Sequence, residues 1–186
     1  LTGTVVLQNN DGDSLSLNAN GSFTFPTPLP LGSPYNVTVA TQPFGQTCSV
    51  SSGSGTISGS DITNVMVVCS TNAYKIGGTT TGLITGTVIL QNNGGNNLPI
   101  TTNGPFTFSA PVSQGSPYTV TILTQPANQT CTLTNASGVV GGANVTNVVL
   151  NCIQNATTLS VSVSSIALSV NNPGANAALT GKPRTI

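Results

Sequence analysis

Charge is almost missing from this chain. Soluble domains carry about 25% Asp, Glu, Lys and Arg, whereas here these residues make up 3% and balance to zero. The whole inventory is Asp11, Asp13, Asp61, Lys75, Lys182 and Arg184, with no Glu and no His. Nucleic-acid binding needs several cations to neutralise phosphates, so no nucleic-acid partner is expected. A polybasic membrane contact is excluded on the same ground. General acid–base chemistry would fall to three Asp, two Lys and the tyrosines. No base stands ready to activate a Ser or Thr nucleophile. The expectation is a non-enzymatic protein without a cofactor. No apolar run approaches the ~20 residues of a membrane span, and no signal-peptide pattern is present. A start at Leu1 rather than Met reads as a processed or excised piece. With so little charge, nothing long-ranged repels one copy from another, which favours self-association.

What the chain has instead is a copy of itself. Thr2-Gly3-Thr4-Val5-Val6-Leu7-Gln8-Asn9-Asn10 recurs as Thr85-Gly86-Thr87-Val88-Ile89-Leu90-Gln91-Asn92-Asn93, a shift of 83 positions. The same shift carries Phe23-Thr24-Phe25 onto Phe106-Thr107-Phe108, and Gly32-Ser33-Pro34-Tyr35 onto Gly115-Ser116-Pro117-Tyr118. It also carries Cys48 onto Cys131 and Cys69 onto Cys152. One module has been duplicated. The framing predicts repeat 1 at residues 1–72, repeat 2 at 73–152 and a strand-forming tail at 153–186.

The cysteines form two equivalent pairs, Cys48/Cys69 and Cys131/Cys152, each 21 positions apart. Zinc would call for clustered C-x-x-C ligands, which are missing. A disulfide within each module is the economical reading and implies an oxidising, extracytoplasmic compartment. The other reading, two buried free thiols per module, differs by a mass measurement before and after reduction.

Apolar residues alternate along nearly every segment. Tyr35, Val37 and Val39 share one strand face, as do Val65, Val67 and Cys69. Short Val-, Ile- and Thr-rich runs broken by Asn-Gly, Gly-Gly and Pro signals predict an all-β fold of two tandem antiparallel β-sandwiches. Strands are expected near 2–8, 14–18, 22–26, 35–41, 47–51, 55–58 and 62–69, and again 83 later. Asn20-Gly21 and Asn103-Gly104 read as tight hairpin turns. Phe23/Phe25 and Phe106/Phe108 are expected to enter the core.

Asn9-Asn10-Asp11-Gly12-Asp13 resembles a short calcium loop. The matching Asn92-Asn93-Gly94-Gly95-Asn96 keeps the turn residues and loses both carboxylates. That decides for a turn and leaves Asp11 and Asp13 as a weak metal candidate only. Six Asn-X-Ser/Thr sites are about what chance gives with 21 Asn in so Ser- and Thr-rich a chain, so they do not argue for glycans.

The ends are framed unevenly. Repeat 2 has a lead-in, Tyr74-Lys75-Ile76-Gly77-Gly78-Thr79-Thr80-Thr81-Gly82-Leu83, which reads as a further strand and turn and has no partner ahead of Leu1. Beyond Cys152, Thr157–Val163 and Ile166–Val170 are strand-like. The tail either opens a further domain or donates a strand to the next subunit, with Val161, Val163, Ile166, Leu168 and Val170 as candidate assembly residues. Edge guards are nearly absent, with Lys75 the one cation near a strand. Such edges are either covered or paired.

The run Thr-Gly-Thr-Val-x-Leu-Gln-Asn-Asn, then Asn-Gly-x-Phe-Thr-Phe, Ser-Pro-Tyr-x-Val-Thr, Gln-Pro and Gln-Thr-Cys resembles the tandem Ig-like repeats of large secreted bacterial surface proteins. The tail from Thr158 is similar to the opening of another such repeat. The resemblance implies an extracellular, stalk-like or adhesive array, either a homopolymeric fibre built head to tail or an adhesin stalk that binds a glycan or host ligand.

Overall fold

The computed structural model describes residues 1–156; the candidate assembly residues Val161, Val163, Ile166, Leu168 and Val170 lie outside them. Residues Leu1–Asn155 form one compact unit containing two β-sandwiches and, among the described residues, no helix. The first repeat carries β1 (Val5–Asn9), β2 (Asp13–Leu17), β3 (Pro34–Thr41), β4 (Gln46–Ser51), β5 (Ser54–Thr56) and β6 (Met66–Thr71). The second carries β7 (Ala73–Tyr74), β8 (Ile76–Thr81), β9 (Val88–Asn92), β10 (Gly95–Ile100), β11 (Gly104–Thr107), β12 (Val112–Ser113), β13 (Pro117–Thr124), β14 (Gln129–Thr134), β15 (Ser137–Val139) and β16 (Val145–Gln154).

One layer is the same in both repeats: β2-β1-β3-β5 in the first and β10-β9-β13-β15 in the second. Alternation drives it. Val5, Leu7 and Asn9 are buried along β1, and Val88, Leu90 and Asn92 along β9. The hairpins close on residues that tolerate positive φ, over two residues between β9 and β10 and three between β1 and β2. Asn93 and Gly94 lie at φ 52° and 72°, and Asn10 and Asp11 at 52° and 56°.

The facing layers differ. In repeat 2 it has four strands, β11-β8-β16-β14; in repeat 1 only β4-β6 remains. β8 runs antiparallel to β11 and parallel to β16, so it holds the layer together. The residues 83 positions ahead of β8 would precede Leu1. Two expectations are corrected. The segment 22–26 is not a strand, and 62–65 does not join β6, because neither has β8's backbone to pair with. The Asn-Gly hairpins are corrected as well: β10 and β11 belong to different sheets, so Asn103-Gly104 is the corner where the chain crosses between layers. Asn103 fixes that corner by accepting from Leu83 N and donating to Leu83 O, both at 2.8 Å.

The cores follow the strands. Fourteen buried residues pack together in repeat 2, against four in repeat 1, Val5, Leu7, Val37 and Cys48. One imperfection in the larger core gives a prediction. The hydroxyl of Thr80 on β8 is buried without a hydrogen-bond partner. An unsatisfied buried polar group costs about 1–3 kcal/mol. Thr80→Val is therefore expected to stabilise repeat 2 by about 1 kcal/mol, raising its melting temperature by roughly 4–8 °C in calorimetry; a lower temperature would contradict it.

Candidate functional site: an open groove in the first repeat

Where β8 runs in repeat 2, repeat 1 presents a groove. Two depressions of ≈ 450 and ≈ 460 Å³ lie end to end and share Gly21, Phe23 and Val65. One continues to Phe25, Tyr35 and Ile62, the other to Leu1, Val67 and Cys69. These positions match the two walls that flank β8: residues 104–107 and 145–151 of repeat 2 fall on 21–24 and 62–68 of repeat 1.

Burial records the difference at identical or near-identical residues. Phe108, Val148 and Leu150 are 0% exposed; Phe25, Val65 and Val67, their counterparts, are half-buried. Each aromatic pair keeps the same edge-to-face contact, at 6.2 Å for Phe23/Phe25 and 6.3 Å for Phe106/Phe108. The rings are therefore placed alike and covered differently. Apolar side chains that repeat 2 covers are thus left partly open along this strip.

Polar groups define the ends of the strip. In repeat 2, Lys75 N donates to Asn144 Oδ1 at 2.8 Å, and Val145 N donates to Lys75 O at 2.9 Å. Asp61 occupies the position of Asn144 and lines the groove of repeat 1. At the other end, Gln129 Nε2 donates to Gly82 O at 2.9 Å while its Oε1 accepts from Ile84 N at 3.0 Å. Gln46, its buried counterpart, accepts from Thr2 N at 2.7 Å and has no counterpart of the Gly82 bond among the described residues. The Leu1 amino group donates to Asn20 Oδ1 at 2.9 Å, close to where Leu83 meets Asn103.

The other expected site residues fall as follows. Cys48–Cys69 and Cys131–Cys152 are disulfides, each directly across one antiparallel pair, β4–β6 or β14–β16. Gln42 and Gln125 brace them, each bonding both the N–H and the C=O of Cys48 or Cys131. That role explains the paired Gln-Pro and Gln-Thr-Cys motifs. Disulfides of this kind belong to proteins matured outside the reducing cytoplasm. Opening Cys131–Cys152 by a double Cys→Ala change is expected to cost about 3 kcal/mol, seen as a lower urea midpoint for repeat 2. No midpoint shift would contradict it.

Asp11 sits at the tip of the β1–β2 hairpin, and Asp13 accepts from Thr27 N at 3.2 Å. Among the described residues, no group of three or more His, Cys, Asp or Glu is placed to hold a metal ion. No helix there is long and apolar enough to cross a membrane. What sequence reasoning missed is that Asp61, on the groove wall, and Gln46, buried beside Thr2, hold the positions of Asn144 and Gln129. Both align with residues that bond the lead-in of repeat 2, which was the available signal. No known family model matches the chain, and no curated protein matches it.

Proposed function

We propose that this chain is a non-enzymatic structural module of an extracellular bacterial surface fibre, built as a head-to-tail array of β-sandwich repeats. The observation that supports it most is a trailing end that recurs. At the junction of the two repeats, Gln114 N donates to Asn72 O at 2.9 Å and Asn72 Nδ2 donates to Gln114 Oε1 at 3.3 Å. Phe44 lies against Gly115 beside them. Asn72 is itself held by its N–H on Gly45 O at 2.8 Å and by Thr47 Oγ1 at 2.8 Å.

The trailing end of repeat 2 has the same build. Asn155 N donates to Asn128 O at 2.9 Å, and Thr130 Oγ1 donates to Asn155 Oδ1 at 2.6 Å. An end shaped like the one that seats repeat 2 is suited to seat a further repeat. Heterologous contacts of this type propagate as open chains. The near absence of charge, the unguarded edges and the resemblance to secreted bacterial repeats favour the same reading. Light scattering and electron microscopy of the purified chain are expected to show concentration-dependent linear particles. A monomer at every concentration would contradict self-assembly.

A further inference from the structure

We infer that the groove of repeat 1 is an acceptor for an extended strand of this repeat's own lead-in type, apolar-Gly-Gly-Thr-Thr-Thr, lying parallel to β6. The inference rests on the array reading for its biological setting. Its own support is the comparison of one repeat with the other.

β8 shows what the occupant must be. A strand between two others needs β-compatible residues, but β8 carries consecutive glycines, Gly77 and Gly78, in its buried centre. Glycine in a strand interior weakens it and marks close backbone approach. The packing around them shows why both are needed. A Cβ on Gly77 would overlap the carbonyl oxygen of Phe106, and one on Gly78 the carbonyl of Val148. The crowding at Gly78 goes with a bulge in β16, where Val145 to Val148 span only Ile76 to Gly78 of β8, and that at Gly77 comes from β11 on the other side. Repeat 1 keeps the residues that make this wall, since Thr63-Asn64-Val65 matches Thr146-Asn147-Val148 and Phe23 matches Phe106.

The groove therefore selects by size as well as by apolarity. The tail candidates Val161, Val163, Ile166, Leu168 and Val170 stand in runs without two consecutive glycines, and 157–186 contains only the separated Gly174 and Gly181. A strand of that pattern puts a branched side chain against each carbonyl. The lead-in pattern fits, and the polar poles fit it too. Asp61 presents a carboxylate where Asn144 accepts the Lys75 amide, a charge-assisted bond in place of a neutral one. Gln46 stands where Gln129 takes the Gly82 carbonyl. Leu1 aligns with Ile84, so a lead-in placed directly ahead of Leu1 reaches the groove in register.

The test fuses the sequence of Tyr74–Leu83 ahead of Leu1 in the full chain and follows amide hydrogen exchange at 62–68. Residues 145–151 of repeat 2 serve as the internal standard for folding. Exchange at 62–68 is expected to slow by about 100-fold or more, as for other strands moved from an edge to a sheet interior. Replacing both lead-in glycines by valine is expected to remove that protection. Fusing the Leu159–Leu168 sequence in the same place is expected to give none. Asp61→Asn should keep the protection, as Asn144 does, and Asp61→Ala should weaken it about tenfold, the worth of one good hydrogen bond. The inference is overturned if the lead-in leaves exchange unchanged, or if the valine or tail version protects equally. Exchange is read residue by residue in a dilute monomer, so failure here is distinguishable from failure to assemble.

Discussion

Replacing Gly78 by valine is expected to unfold the second repeat while leaving the first as it is. The carbonyl of Val148 occupies the space a side chain would need, and it belongs to β16, whose next residue, Val149, is already paired with Thr134 of β14. Nothing flexible can move aside. Losses above about 4 kcal/mol are exceptional for one substitution and arise from steric or backbone conflict of this kind. A loss of that order is comparable to the whole stability of a small domain. Gly95→Val supplies the control: a Cβ there meets nothing within 4 Å, and the change should stay within about 0.5 kcal/mol. Urea unfolding with exchange readout separates the two repeats. Equal small effects at Gly78 and Gly95 would show that β8 does not run as tightly between its neighbours as described.

The second large effect is a contrast between twins. Phe108→Ala removes a ring that is 0% exposed and packed in the larger core, and such truncations cost about 3–5 kcal/mol. Phe25→Ala removes the same ring at the equivalent position, where it is only half-buried on the wall of the groove. Water already reaches part of that ring, so the expected cost is about 1–2 kcal/mol, in proportion to the smaller area withdrawn from solvent. The measurement is the change in urea midpoint for each repeat. Equal costs would mean that Phe25 is as well covered as Phe108 and that the groove is not open in solution.

Much of this fold was legible because its determinants are local. Alternation along Val5–Asn9 and Pro34–Thr41 predicted strands that pair in the shared four-stranded layer. The matched Cys spacing placed both members of each bonded pair. The failures have one origin. Phe23-Thr24-Phe25 has strand-like alternation, but a strand exists only when another backbone pairs with it, and periodicity carries no record of the partner. The identical Phe-Thr of repeat 2 is strand because β8 lies beside it.

Asn20-Gly21 and Asn103-Gly104 misled for a related reason. Asn-Gly signals a sharp change of direction, and both a hairpin and a crossing between layers need one. The lead-in was legible as a strand and turn, and Gly77-Gly78 is the centre of that strand. Only the packed structure reveals that the pair answers a close approach by Phe106 and Val148. The close packing of these glycines and the alignment of Asp61 with Asn144 in the groove required the geometry of repeat 2.

The measurement that bears most directly on this account is amide hydrogen exchange of the chain as it stands, comparing equivalent residues of the two repeats. Amides at 149–151, in the part of β16 that lies between β8 and β14, are expected to exchange only through global opening of repeat 2. Their counterparts at 66–68, paired with β4 alone, are expected to exchange at least about 100-fold faster. Equal protection of the two segments would contradict the account, because it would mean that repeat 1 is already closed and has no strand to accept.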